Sequence, residues 1–211
     1  MGTELSGAKL AVARLEQAMR ARVPLIGIQT TEEARAMREI EALAAQPTVG
    51  VTGDVEVESR VVFKWTVTRG IVRQGKLPPC TSCGEDVVLG KEEGLNVYIC
   101  TKCSSTMEAE FPQGTEDPSF AIEDFVAYAV GDGKWKTYLE RASILVLCDA
   151  HRFLMPAESG GENSTRTMRA LRDLAYMLPP TKSVAVLMGP YLGSLGDAER
   201  HVHRVPFPRP T

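Results

Sequence analysis

Apolar residues recur along this chain with two alternating periods. Leu5, Ala8, Val12, Leu15 and Met19 are three and four residues apart, which places them on one face of a helix over residues 4–22 that Pro24 ends. The compact apolar run Leu25-Ile26-Gly27-Ile28 reads as a buried strand. Thr30 with Glu33 three residues on has the form of a capping box, opening a helix to about Ala45 with Ala34, Met37, Ile40 and Ala44 inward. Alternation at Val49, Val51, Val55 and Val57, with a turn at Gly53-Asp54, and then the β-branched and aromatic run Val61–Val67, predict further strands.

Beyond residue 113 the alternation of strand and helix resumes. Asp117 as N-cap and Pro118 in the first turn start a helix carrying Phe120, Phe125 and Tyr128, which stops at Gly131. A shorter helix is expected over Trp135–Ala142. Ile144–Cys148, ending in Asp149, is the strongest core strand. Pro156–Ser164, with Gly160-Gly161 and acidic neighbours, reads as a mobile loop. Residues 165–178 are helical, with Met168, Leu171, Ala175 and Leu178 inward and Arg166, Arg169 and Arg172 outward, until Pro179-Pro180. Ser183–Met188 and Val202–Val205 are the last strands.

Strands separated by helices imply an α/β fold, a mostly parallel sheet covered on both faces. The expected organisation is a discontinuous α/β domain over 1–74 and 114–205, an insertion at 75–113 and a Pro-rich tail at 206–211. No internal repeat or low-complexity tract is present.

The 211 residues carry a net charge of −3, which exerts no general pull on nucleic acid or anionic membranes. The N-terminus lacks a signal-peptide pattern, and no apolar run approaches the roughly 18–20 residues needed to cross a bilayer. A cytoplasmic protein with reduced thiols is expected.

Four of the five cysteines form two pairs, Cys80-x2-Cys83 and Cys100-x2-Cys103, with 16 residues between them. Such a turn sets two sulfurs on one side of a tight loop, and two facing turns make a four-thiolate cage. Gly84 allows the first turn its sharp backbone bend. Val87–Leu89 and Asn96–Ile99 read as the hairpin between the turns, a zinc ribbon. Structural Zn2+ is the expected ion, with iron in a rubredoxin-like site as its rival. Between Lys76 and Glu110 there are three lysines and six acids, a balance that favours a protein contact over phosphate.

After the first strand, a nucleotide-binding protein of this layout would carry a glycine-rich phosphate loop ending in lysine. This chain has Gln29-Thr30-Thr31-Glu32-Glu33, which puts two carboxylates where an anion would bind. Asp149 has the position of a magnesium-holding acid, but Ala150 and His151 follow it, and the simpler reading is an acid at a strand end. Cys148 reads as a buried inert thiol, His151 as a loop residue, and Trp65 and Trp135 as core or rim packing. His201 and His203 would alternate on one strand face, a weak metal signal, and the three arginines read as a solvated face beside Asp173.

Several segments carry a resemblance. Val23–Arg35, Lys64–Ile71, Leu145–Leu154, Arg169–Leu174 and Val205–Pro208 occur in the order found in the N-terminal region of AAA-type ATPases. The chain resembles those encoded as a hypothetical reading frame in algal chloroplasts and cyanobacteria. The resemblance implies a degenerate P-loop-NTPase-like fold, followed in that family by an ATPase module that would begin where this sequence stops. It implies an accessory or regulatory domain with no catalytic residue here and a protein partner, such as an AAA-type ATPase. A nucleotide-binding protein with an unusual phosphate loop, using Asp149, and a nucleic-acid-binding zinc ribbon are the alternative readings.

Overall fold

The computed structural model describes residues 7–49, 55–57, 59–112, 116–138, 141–149, 153–154, 162–193 and 195–207. The elements run α1 (Gly7–Arg20), β1 (Leu25–Gln29), α2 (Glu33–Ala45), β2 (Thr48–Val49), β3 (Val55–Val57), β4 (Val61–Thr66) and β5 (Gly70–Arg73). They continue as β6 (Val87–Glu92), β7 (Leu95–Cys100), β8 (Thr106–Glu108), α3 (Pro118–Val130), β9 (Ser143–Cys148), α4 (Glu162–Met177), β10 (Val184–Gly189) and β11 (Val202–Pro206). Leu5, Val51, the Gly53-Asp54 turn, Ala150, His151, residues 156–161 of the expected loop and the tail from 208 lie outside the described residues.

The main sheet has the order β11-β1-β10-β9-β4-β5. Its first five strands are parallel and β5 alone is antiparallel to its neighbour. Alternation along the strands divides the core between two faces. Ile26, Ile28, Val62, Ile144, Val146, Val184 and Val186 pack with Leu15, Met37 and Ile40 of α1 and α2. Leu25, Phe63, Trp65, Leu145, Leu147 and Leu187 pack with Ile122, Phe125 and Tyr128 of α3 and Leu171 and Leu174 of α4. Because both faces are covered, every residue of β9 and β10 is buried, and all but Ser143, which is hydrogen-bonded to Ser183, are apolar or glycine. The result is the α/β, P-loop-NTPase-like architecture expected from the sequence.

Local chemistry explains where elements begin and end, and where the expectations need revision. Asp117 caps α3 by accepting a 2.8 Å bond from the Ser119 N–H. Gly131, at φ 69°, ends it in the left-handed conformation that glycine adopts without strain. Phe120 is exposed, whereas Phe125 and Tyr128 are fully buried. The capping box at α2 does not form: Thr30 Oγ1 accepts the Glu32 N–H at 3.0 Å, a local turn, and the helix starts at Glu33. The inner face of α2 is Ala36, Met37, Ile40, Leu43 and Ala44, and Ala34 is exposed. The helix expected over Trp135–Ala142 is a 3-10 helix over Gly133–Tyr138, and Glu162–Ser164 of the expected loop belong to α4. At the C-terminal end Pro206 closes β11 and Phe207 is buried beneath the guanidinium of Arg35, which lies 4.9 Å from its ring centre.

Two buried charged residues, Arg60 and Glu110, help hold the layers together. Arg60 is 8% exposed and serves the C-terminal ends of both early helices. Its backbone N–H donates to the Ala44 carbonyl at 2.8 Å, and its guanidinium Nη2 to the Met19 carbonyl at 3.5 Å. Helix C-termini leave such carbonyls without intrahelical donors and carry partial negative charge. Glu110, with a side chain 6% exposed, accepts from Arg73 Nη1 at 2.6 Å and from the Tyr98 hydroxyl.

Two stability changes are expected. Arg60→Met keeps the backbone bond to Ala44 but loses the long Nη2 contact to Met19, and should lower the urea unfolding free energy by about 0.5–1.5 kcal/mol. Glu110→Ala should cost about 3–5 kcal/mol by leaving the Arg73 cation buried without its carboxylate, and the double change Arg73→Met, Glu110→Leu should cost less than Glu110→Ala alone. A double-variant loss equal to the sum of the Arg73→Met and Glu110→Leu losses would show that the pair is not coupled.

Candidate metal centre

Residues 74–112 leave the edge strand β5 and form their own three-stranded antiparallel sheet, β6-β7-β8. The hairpin strands are longer than the sequence indicated, and β8 is an addition to them. The two cysteine turns are built alike. Cys80 N–H donates to the Glu85 carbonyl and Gly84 N–H to the Cys80 carbonyl, both at 2.8 Å. In the second turn Cys100 N–H donates to the Ser105 carbonyl at 3.0 Å and Ser104 N–H to the Cys100 carbonyl at 3.2 Å. Gly84 and Ser104 hold equivalent positions and both have positive φ, 76° and 58°. The first turn meets that demand with glycine; the second imposes it on a serine, at a cost of roughly 1–2 kcal/mol.

The turns bring the four sulfurs of Cys80, Cys83, Cys100 and Cys103 within 4.8 Å of one another, a group that could hold a metal ion. Sγ separations are 3.7 Å for Cys80–Cys103, 3.5 Å for Cys83–Cys100 and 3.6 Å for Cys83–Cys103. A tetrahedral ion with sulfur bonds of about 2.3 Å sets its ligands about 3.8 Å apart, so the donor set fits such an ion. The N–H groups of Lys102 and Cys103 both point at the Cys100 sulfur at 3.4 Å. Ser105 Oγ lies 3.2 Å from the Cys80 sulfur and 3.0 Å from that of Cys103.

Electrostatics within the cage are uneven. The Ser105 hydroxyl, against the effect of burial, and with the backbone N–H groups of Ser82 and Cys83, brings the Cys80 thiol down to about 6. Ser105 likewise lowers Cys103. For Cys83, the Glu85 backbone contact is outweighed by burial and the three neighbouring sulfurs, which push it up to about 12. Four sulfurs this close resist carrying four negative charges together, and a divalent cation among them removes that repulsion.

The small sheet has little apolar support: Cys80, Val87, Tyr98, Cys100 and Ala109 are its buried cluster, with Leu77 and Met107 packed against them. It is joined to the large domain through residues 110–112. Asn96 N–H donates to the Pro112 carbonyl at 2.8 Å, and Asn96 Nδ2 to that of Phe111 at 3.3 Å. The Phe111 ring enters the large core beside Phe63, at 5.0 Å between centres, and Trp135. Trp135 Nε1 donates to the Glu110 carbonyl at 3.2 Å. The sequence reading gave Glu110 and Phe111 no role; the acid directly before the Phe111-Pro112 step was the available signal.

At the carboxyl ends of the parallel strands, where ligands of open α/β sheets bind, β1 and α2 are separated only by residues 30–32. Glu32 pairs with Arg35 at 2.7 Å, and Glu33 lies 3.8 Å from Lys64 of β4. Asp149 follows β9 as an exposed residue with φ 54°, its N–H bonded to the Met188 carbonyl at 2.9 Å. Cys148 is buried and burial pushes its thiol up to about 12, as an inert core thiol requires. His201 and His203 do not share a strand face: His201 ends a 3-10 helix with its ring 4.9 Å from that of Tyr176, and His203 is in β11. Trp65 is fully buried and Trp135 packs against the same core. Arg169 and Arg172 lie beside Asp173, while Arg166 pairs with Glu123 at 3.1 Å and stacks on Phe120.

A family model described as SpoVK-like AAA ATPase, N-terminal domain, matches residues 11–205. No curated protein and no solved structure matches the chain.

Chelation should abolish hydrogen-exchange protection of β6–β8 while β1, β9 and β10 keep theirs, because the larger sheet has its own core. Loss of protection across both sheets would show that they fold as one unit. Cys100→Ser should reduce bound metal well below one ion per chain, measured by elemental mass spectrometry.

Proposed function

The chain belongs to the family of SpoVK-like AAA ATPase N-terminal domains, and from that premise we propose that it is a non-catalytic interaction or regulatory module with a structural zinc ribbon. The connection between β1 and α2 carries this reading. A phosphate-binding loop needs glycines that let successive N–H groups wrap the phosphates, and a lysine to neutralise them. Three residues join the elements here, and the carboxylates of Glu32 and Glu33 already face Arg35 and Lys64. A nucleotide triphosphate brought to this turn would meet like charge.

Zinc is the ion we assign to Cys80, Cys83, Cys100 and Cys103. Four thiolates with separations near 3.6 Å suit its tetrahedral preference, and a complete protein ligand set leaves no open position for substrate. The ion's role is to clamp a hairpin with little core. We treat 1–74 and 114–205 as the discontinuous α/β domain and 75–113 as its insertion. The partner class we favour is an AAA-type ATPase engaged through protein contact, in line with the resemblance to chloroplast and cyanobacterial members. No helix among the described residues is long and apolar enough to cross a membrane, and we place the domain in the cytoplasm.

Native mass spectrometry with and without Mg-ATP tests the assignment. One zinc and no nucleotide adduct are expected. A saturable adduct lost in Asp149→Ala would replace this reading with a nucleotide-binding one. A visible thiolate-to-iron absorption band would identify the ion as iron instead.

A further inference from the structure

The outer face of the small sheet is apolar, and the reading of this domain as a protein-interaction module asks what that face meets. Strand register assigns the side chains. Val88 is paired with Ile99, Gly90 with Val97 and Glu92 with Leu95, and on the other side Ile99 pairs with Thr106 and Val97 with Glu108. These rows share one face; the alternate rows, with Cys100, Tyr98 and Asn96, carry the cysteine cage and the junction. The outer face therefore holds Val88, half-buried Ile99 and Leu95 in a stripe, with Val97 between them buried at 7% exposure.

Val88 is 50% exposed and Leu95 40%, so each end of the stripe is open to solvent. Gly90 makes the middle flat. A Cβ there would stand 2.5 Å from Ile99 Cδ1, so the Ile99 side chain lies across the space that any other residue at 90 would fill. The distance from Ile99 to Leu95 along β7 is four residues, about 13 Å, which matches roughly nine residues of helix.

Charge identifies the occupant. Glu92 and Glu108 stand on this face and Glu93 follows at the turn, all exposed. Lys91 belongs to the opposite face, and Lys102 is bound to Glu85 at 2.6 Å. An apolar stripe whose strand rows carry carboxylates and no lysine or arginine disfavours nucleic acid and anionic membranes alike and complements a cationic rim. We propose that this face docks a basic amphipathic helix of a partner protein, with two or three aliphatic residues at helical spacing on the Val88–Leu95 stripe and lysines or arginines opposite Glu92 and Glu108. The inference rests on the interaction-module reading and names the surface it uses.

The probe is a fluorescent synthetic helix with leucines along one face and lysines beside them, together with a version carrying glutamates in place of lysine. Anisotropy titration of the zinc-loaded chain should show saturable binding of the lysine helix, weakening as salt rises, and none of the glutamate helix. Val88→Glu or Leu95→Glu should each weaken binding by about tenfold, as should the charge reversal Glu108→Lys, while Met177→Glu on α4 leaves it unchanged. Unchanged zinc content and circular dichroism confirm that each variant is folded; Glu108→Lys decides the matter if an apolar-site variant is not. Binding that survives all three ribbon changes overturns this surface while leaving the interaction-module reading intact. Absence of any binding by the wild-type chain also overturns it, and the nucleotide experiment above still tests that reading separately.

Discussion

The buried carboxylate of Glu110 is the constraint on which the arrangement of this domain depends. It lies where the small cysteine sheet returns to the large one, between Arg73 at the edge of the main sheet and Tyr98 inside the ribbon. Removing a carboxylate from water is costly, and the cost is offset only if both donors stay in place. Arg73 and Tyr98 belong to different sheets, so the geometry that satisfies Glu110 also fixes the two sheets relative to one another. Phe111, the next residue, completes the join by entering the aromatic cluster of Phe63, Tyr128 and Trp135.

A second constraint comes from the parallel sheet. Its carboxyl ends gather at one edge, the customary ligand position. In this chain the turn after β1 is short and its acids are matched with Arg35 and Lys64, so the local charges are balanced within the protein. The cysteine cage sits in the small sheet, on the face opposite Val88 and Leu95.

Much of this was legible in the sequence because it follows from local rules. The runs at 25–28, 144–148 and 184–188 are apolar throughout because their strands are buried on both faces. Asp117-Pro118 and Gly131 mark the ends of α3 through bonds made within one turn. Cysteine spacing alone gathers the four sulfurs. Misreadings arose where a distant partner decides. Ala34 and Ala36 are equivalent in propensity, and only the position of α2 on the sheet selects Ala36. Thr30 and Glu33 have the spacing of a capping box, yet a turn at Glu32 uses the threonine oxygen first. β5 is a short edge strand whose Gly70-Ile71 start gave little period, and pairing with β4 creates it.

The sequence by itself determined the α/β class, the buried strands and the cysteine set, because hydrophobic period and ligand spacing act over a few residues. Tertiary structure decided what lies far apart in the chain: the 37-residue reach from Arg73 to Glu110, the insertion of Phe111 into a core built from residues on both sides of the ribbon, and the single outer face shared by Val88, Ile99 and Leu95. Burial and strand register set those relations, and neither has a period that can be read along the chain.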